Sequence, residues 1–321
     1  MSDNPAAPSE VSDVDAKYWL AEIEAGKERR KDWYKSVEKA TKRYKDNTER
    51  AFGALNILWA NVETQKAAIG SDFGKPSVSR INANGNQALP RHISQLLEQA
   101  ITAAVEDTGD NEQIKAAAHD LLLSGYGQIW LELNVDGEWI DAPFVRLLHD
   151  EYLEGVSPRQ RDVPWRARRH LFSLDDLKAL DKTNGTSHAE KIKRDYTLSC
   201  EGENAVNDSK EREQFKRAAV WEIWCVAPTK RRIYVAEGYD TVLQVDDDPY
   251  HLKGFYPCPN PLLANCDESW QIPHTDYSRY EDQAVELDRV CKRIYVLLDS
   301  LRRRGVYDKK FTELASIATA V

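Results

Sequence analysis

From Val14 to about Arg50, Tyr18, Trp19, Ile23, Trp33, Val37 and Tyr44 are spaced among many charges. The pattern predicts one or two amphipathic helices lying on a larger body. Lys27, Arg29, Arg30 and Lys31 alternate with Glu22, Glu24, Glu28 and Asp32, which reads as a solvated face, with a nucleic-acid arm as the alternative. Leu55, Leu58, Trp59, Val62 and Ile69 then recur at helical spacing and predict a buried helix that stops at Gly70, followed by a turn and a short extended segment to Arg80. A third helix is expected over Asn84–Glu106, interrupted near Pro90, with Ile93, Leu96, Leu97 and Ile101 on its inner face. A fourth is expected over Glu112–Leu123.

At Gly125 the period changes. Gln128–Leu133 and Glu138–Ile140 flank Asp136-Gly137, a pair that favours a tight hairpin. Phe144–Leu153 continues extended, and Trp165–Leu171 reads as another strand. Ser173 and Asp176 have the spacing of an N-cap and its third helical residue, so a short helix should start there. Residues 181–215 are rich in Asn, Ser, Lys and Glu and predict an exposed polar excursion. Strands return at Ala218–Val226, Arg232–Ala236 and Thr241–Val245, while the three prolines of Phe255–Pro261 exclude regular structure. The fold class that follows is α+β, with helices plus small antiparallel or mixed sheets.

The clearest element is the last. Between Ser278 and Arg304, Ala284, Leu287, Val290, Ile294, Leu297 and Leu301 form one seam of a long helix that breaks at Gly305. At 1.5 Å per residue it is a rod of roughly 40 Å. So narrow a seam suits packing against neighbouring helices better than lining a deep core.

Composition narrows the classes. Nine Trp and fourteen Tyr argue for a folded chain, except in the Pro-, Ser- and acid-rich start, where residues 1–13 read as a flexible tail. No apolar run approaches the length of a membrane span, and the N-terminus lacks the layout of a secretory signal. The five cysteines, Cys200, Cys225, Cys258, Cys266 and Cys291, are odd in number and irregular in spacing, so a disulfide framework is not expected. The net charge of −9 is unlike that of a protein that grips nucleic acid, and a passage through which DNA slides should not hold phosphates tightly.

Few segments suggest chemistry. Gly125-Tyr126-Gly127 follows a helix and precedes a strand, the wrong order for a dinucleotide fingerprint, and reads as a tight connection. Signatures of phosphate-binding loops, nucleophile elbows and zinc peptidases are missing. His119-Asp120 and His149-Asp150-Glu151 set a base beside acids without further partners, Asp246-Asp247-Asp248 reads as a solvated turn, and Cys258, Cys266 and His274 lack metal-ligand spacing. The expectation is a non-enzyme with no catalytic residues, cofactor or metal. Two basic groups remain: Arg159, Arg161, Arg166, Arg168 and Arg169 around a strand, and Lys292, Arg293, Arg302, Arg303 and Arg304 on the final helix. Each reads as surface charge or interface ion pairs, with transient phosphate contact from a channel wall as the alternative.

An ordered set of segments resembles the portal proteins of tailed phages, particularly the large portals of short-tailed phages. The set comprises AFGALNILWANVETQKAAIGSDFGKPSVSR (51–80), AAAHDLLLSGYGQIWLEL (116–133), the Trp221-Glu222-Ile223-Trp224 strand with DDDPYHLKGFYPCPNPL after it, and YEDQAVELDRVCKRIYVLLDSLRRRGVYD. Together they span most of residues 40–310. The resemblance implies a ring, generally of twelve subunits, at one vertex of the virion and made in the host cytoplasm. Its implied partners are terminase, head-completion or tail adaptor proteins, capsid and scaffolding proteins, and double-stranded DNA passing through without sequence-specific binding. It implies a wing over residues 14–275 and a first stem helix over 276–305, with 306–321 beginning a clip whose remainder, second stem helix and crown are absent from this sequence. A second mapping makes the strands from Ala218 to Val245 the clip; the first is preferred. In the preferred mapping Leu287, Val290, Ile294, Leu297 and Leu301 make subunit contacts in the stem, and Lys292, Arg293, Arg302, Arg303 and Arg304 are the candidates for DNA-channel contact. The alternatives are another head–tail structural protein, a DNA-processing enzyme or a cellular scaffold.

Overall fold

The computed structural model describes residues 15–45, 56–69, 76–79, 88–136, 139–197, 216–226, 231–248, 256–266 and 272–302. The expected tail at 1–13, the Leu55 end of the second helix, and residues 306–321 lie outside them.

The architecture is α+β. Six helices are described: α1 (Ala16–Lys45), α2 (Ile57–Ile69), α3 (Ala88–Thr108), α4 (Asp110–Ser124), α5 (Leu174–Asn184) and α6 (Asp276–Arg302). The strands are β1 (Tyr126–Leu131), β2 (Asn134–Asp136), β3 (Trp139–Asp141), β4 (Phe144–Leu147), β5 (Tyr152–Glu154), β6 (Trp165–Phe172), β7 (Tyr196–Thr197), β8 (Lys216–Cys225), β9 (Arg231–Ala236), β10 (Val242–Asp247) and β11 (Leu262–Leu263). They form an antiparallel sheet in the order β10-β9-β8-β6-β5, with β7 added beside β8, a smaller sheet β11-β1-β4, and the separate hairpin β2–β3.

The main sheet is sandwiched, and β8 shows why. Its residues from Ala218 to Cys225 are all buried, so both faces of the pleat are covered. Trp221, Ile223 and Cys225 point into one cluster with Trp165, Ile233, Val235 and the α1 residues Ala16 and Ile23. Ala218 and Val220 point the other way, against Leu177 of α5. Trp224 meets Trp33, Tyr126, Trp130 and Tyr152 in a third cluster shared with the smaller sheet. Complete burial of a large apolar side chain contributes about 1.5–3 kcal/mol, so these indoles dominate the core.

α1 is a single helix of 30 residues that serves three clusters in turn. Ile23 packs on the main sheet, Trp33 and Val37 on the smaller sheet, and Ala40 on α2 and α6. The sparse apolar positions that suggested one or two peripheral helices are therefore a continuous spine.

Local rules explain the junctions. Ser173 Oγ accepts from Asp176 N at 3.2 Å and Asp176 Oδ2 accepts from Ser173 N at 2.8 Å, a reciprocal cap that starts α5. α4 ends at Gly125, whose φ of 79° is left-handed and whose N–H donates to Leu121 O at 2.9 Å. A Cβ there would lie 2.7 Å from the His274 carbonyl oxygen. The expected tight connection is thus built on a glycine that the fold needs. Pro90 falls in the first turn of α3, where its missing N–H is harmless, so that helix is not interrupted.

Four expectations change. Asp136-Gly137 does close a hairpin, β2–β3, but β1 pairs with β4 beyond it, with Gln128 opposite Leu147. The inner face assigned to α3 is exposed: Ile93, Leu96, Leu97 and Ile101 all stay in solvent among the described residues. In α2, Leu58 and Val62 are buried but Trp59 and Ile69 are exposed, so the helix is covered on one side only. Residues 181–197, the start of the expected excursion, pack onto the sheet through Ala189 and Ile192, and Asp181 Oδ2 accepts from the backbone N–H groups of His188 and Ala189 at 2.8 and 2.7 Å. Residues 198–215 lie outside the described set.

Candidate functional site

α6 is seated at its start. Thr275 is fully buried and its Oγ1 accepts from Ser278 N at 3.3 Å, while Asp276 accepts from Asn265. Tyr277 and Ala284 are buried with Ala40, Leu58 and Val62, contributed by α1 and α2. Arg43 of α1 reaches Asp288 at 2.7 Å, with both side chains largely out of solvent. The first half of α6 is therefore part of the body.

The second half is not. Leu287 is half-buried, but Val290, Ile294 and Leu297 are 44%, 49% and 63% exposed, so three of the expected seam residues have no cover among the described residues. Tyr295, Val296 and Leu298 are also exposed. The apolar surface is thus broader than one narrow seam: Cys291, Leu298 and Tyr295 widen the stripe on one side, while Val296 stands on the opposite face of the helix. Lys292 and Arg293 share this exposed half. Leu301 and Arg302 are helical but their side chains lie outside the description, as do Arg303 and Arg304 entirely. An apolar rod exposed among the described residues and fixed to a packed body is the candidate interaction surface, because monomeric proteins rarely leave contiguous patches of that kind in water.

The other basic group serves the interior. Arg168 is 6% exposed and its guanidinium pairs with Glu222 at 3.3 Å and Glu132 at 3.0 Å while lying over the Trp130 ring. Glu222 also meets His170 Nε2 at 2.7 Å and accepts from Trp224 Nε1 at 3.0 Å. Burial alone would raise the Glu222 carboxyl, but His170, Arg168 and Trp224 outweigh it and hold the group at about 2. Arg169 pairs with Asp150 at 2.6 Å. Arg166 is buried against backbone carbonyls, and only Arg159 and Arg161 of the five stand out in solvent. Period-two alternation of β6 puts Arg166 and Arg168 on its inner face, so no phosphate-facing row forms there.

The acid–base candidates disperse. Asp120 pairs with Arg146, and His119 Nε2 meets the Tyr44 hydroxyl at 3.2 Å. His149 stacks edge-on to Trp33. Burial pushes both imidazoles below their ordinary range. Asp246 is held by Arg232 at 2.6 Å. Cys258 is buried against Arg166, and burial raises its thiol to about 11. Among the described residues no three His, Cys, Asp or Glu side chains are grouped to hold a metal ion, and no helix is long and apolar enough to cross a membrane. Among the described residues Cys225, Cys258, Cys266 and Cys291 form no disulfide with one another.

Comparison of the sequence with known proteins finds no matching family model and no matching curated protein.

Proposed function

We propose that the chain is a ring-assembly subunit in which α6 packs sideways against neighbouring copies. More particularly, we propose that it is a portal subunit of a tailed phage, forming the channel through which DNA enters and leaves the capsid and on which terminase and tail proteins dock. The observation that carries this reading is the exposed apolar surface on α6 beyond Asp288, on a helix whose first half is locked to the body by Tyr277, Ala284 and the Arg43–Asp288 pair. Exposed apolar residues on both the seam and the opposite face of the rod need more than one neighbour, which a closed ring supplies by giving each copy one on either side. The ordered resemblance over residues 40–310 supports the narrower reading, with residues up to 275 as the wing and α6 as the first stem helix. The net charge of −9 suits a bore that lets DNA slide. No catalytic step is assigned to the chain.

Negative-stain micrographs of the protein expressed from its complete gene test this reading. The expected result is rings with a central hole, lost in Ile294→Asp while the circular-dichroism melt stays unchanged. A wild-type protein that remains monomeric at micromolar concentration, or rings undiminished by Ile294→Asp, overturns it.

A further inference from the structure

Between β1, β4 and the irregular stretch that begins at Tyr256 lies a cleft of about 640 Å³, within the size range of ligand sites. Its walls include Leu131, Phe144 and Tyr256, its charged lining residues are Arg161 and Arg166, and no acidic residue lines it among the described residues. Arg166 is 3% exposed. Its guanidinium donates only to neutral acceptors: the carbonyl oxygens of Cys258 and Pro259 at 3.1 and 3.2 Å, that of Gln160 at 3.4 Å, the Cys258 sulfur at 3.6 Å and Asn260 Oδ1 at 2.6 Å. Its Nε is buried without a partner among the described residues. The acid whose field acts on it is Glu154, yet that carboxylate also faces the buried Arg30 at 3.9 Å and accepts from Tyr152 and Gln160. Two buried guanidiniums share one buried carboxylate, which leaves a net positive charge beneath an open, mostly apolar cleft. A buried charge without a full counter-charge is costly, and an anion entering the cleft offsets that cost.

We propose that this cleft binds a carboxylate carried on an apolar body. Arg161, which is exposed and among the described residues meets the adjacent Asp162 at 3.5 Å, pairs with the incoming anion. Arg166 supplies the positive field from the wall, Phe144 and Tyr256 take the apolar body, and the lack of lining acids removes any repulsion. The carboxylate belongs either to a free acid or to a glutamate set between apolar residues in a protein segment.

Calorimetric titration distinguishes the two sources, with 3-phenylpropionate, its uncharged amide and a blocked Phe-Glu-Phe tripeptide as probes. The acid or the tripeptide is expected to bind at least about tenfold more tightly than the amide, a difference of about 1.4 kcal/mol. Arg161→Glu, at an exposed side chain, should abolish that binding without altering the melt. Tight binding of the tripeptide alone identifies a protein segment, and equal binding of the free acid identifies a small molecule. Failure of both the acid and the tripeptide to bind more tightly than the amide, unchanged affinity in Arg161→Glu, or no heat from any probe at millimolar concentration overturns the proposal. None of these outcomes depends on whether the chain forms rings.

Discussion

Glu222 lies on a strand whose alternation, taken alone, gives no reason to bury a carboxylate. Both faces of β8 are covered, and Glu222 is accommodated because Arg168, His170 and Trp224 converge on it. Of those partners only Trp224, two residues on, is near in sequence, so the network was invisible until the strands were paired. Its carboxyl is held at about 2, below the ordinary 4.5. A carboxyl depressed in the folded state contributes stability that is complete above 4.5 and is lost as pH falls from 4.5 toward 2. Urea unfolding midpoints should therefore drop across that window, and the drop should shrink in Glu222→Gln. Glu222→Ala should cost about 3 kcal/mol at neutral pH, because it strands the buried Arg168 guanidinium beside its remaining partner Glu132. A variant as stable as wild type would show that Arg168 does not need this carboxylate.

Helices illustrate how far periodicity reaches. The seam Ala284, Leu287, Val290, Ile294, Leu297 and Leu301 predicted α6 and nearly its start, because a helix-period pattern over about five turns has no competing reading. The pattern could not say that Ala284 is embedded while Leu297 is bare, since both sit at equivalent spacing. Unfolding measurements separate the two halves. Ala284→Asp, which puts a charge among Ala40, Leu58 and Val62, should lower stability by about 2–4 kcal/mol, whereas Ile294→Asp should stay within about 0.5 kcal/mol. Equal losses would mean that the far half of α6 is covered by the same chain. In α3 the periodic residues Ile93, Leu96, Leu97 and Ile101 are exposed, so the same signal that locates a core face in α1 marks an uncovered one here. Which apolar stripe meets a partner depends on the placement of other elements.

At the scale of the molecule, charge separates the readings. Chains that grip DNA carry a basic stripe, but here Arg166, Arg168 and Arg169 are drawn into the interior or into pairs and the sum is −9. Plasmid DNA incubated with the protein and Mg²⁺ or Mn²⁺ should therefore stay intact on a gel, with retention appearing only at low salt; nicking would favour a nuclease over a portal. The sequence by itself determined the α+β class, the order of most elements, the glycine joint at 125 and the last helix, because capping, turn chemistry and period act within a few residues of chain. It also contained the resemblance that motivates the ring reading. The tertiary structure alone decided that β1 pairs with β4 rather than β3, that β8 is covered on both faces, that the arginines of β6 point inward, and that half of α6 is exposed among the described residues. Each of those depends on which separate surfaces meet, and contacts between residues well separated in the chain leave no local mark in it.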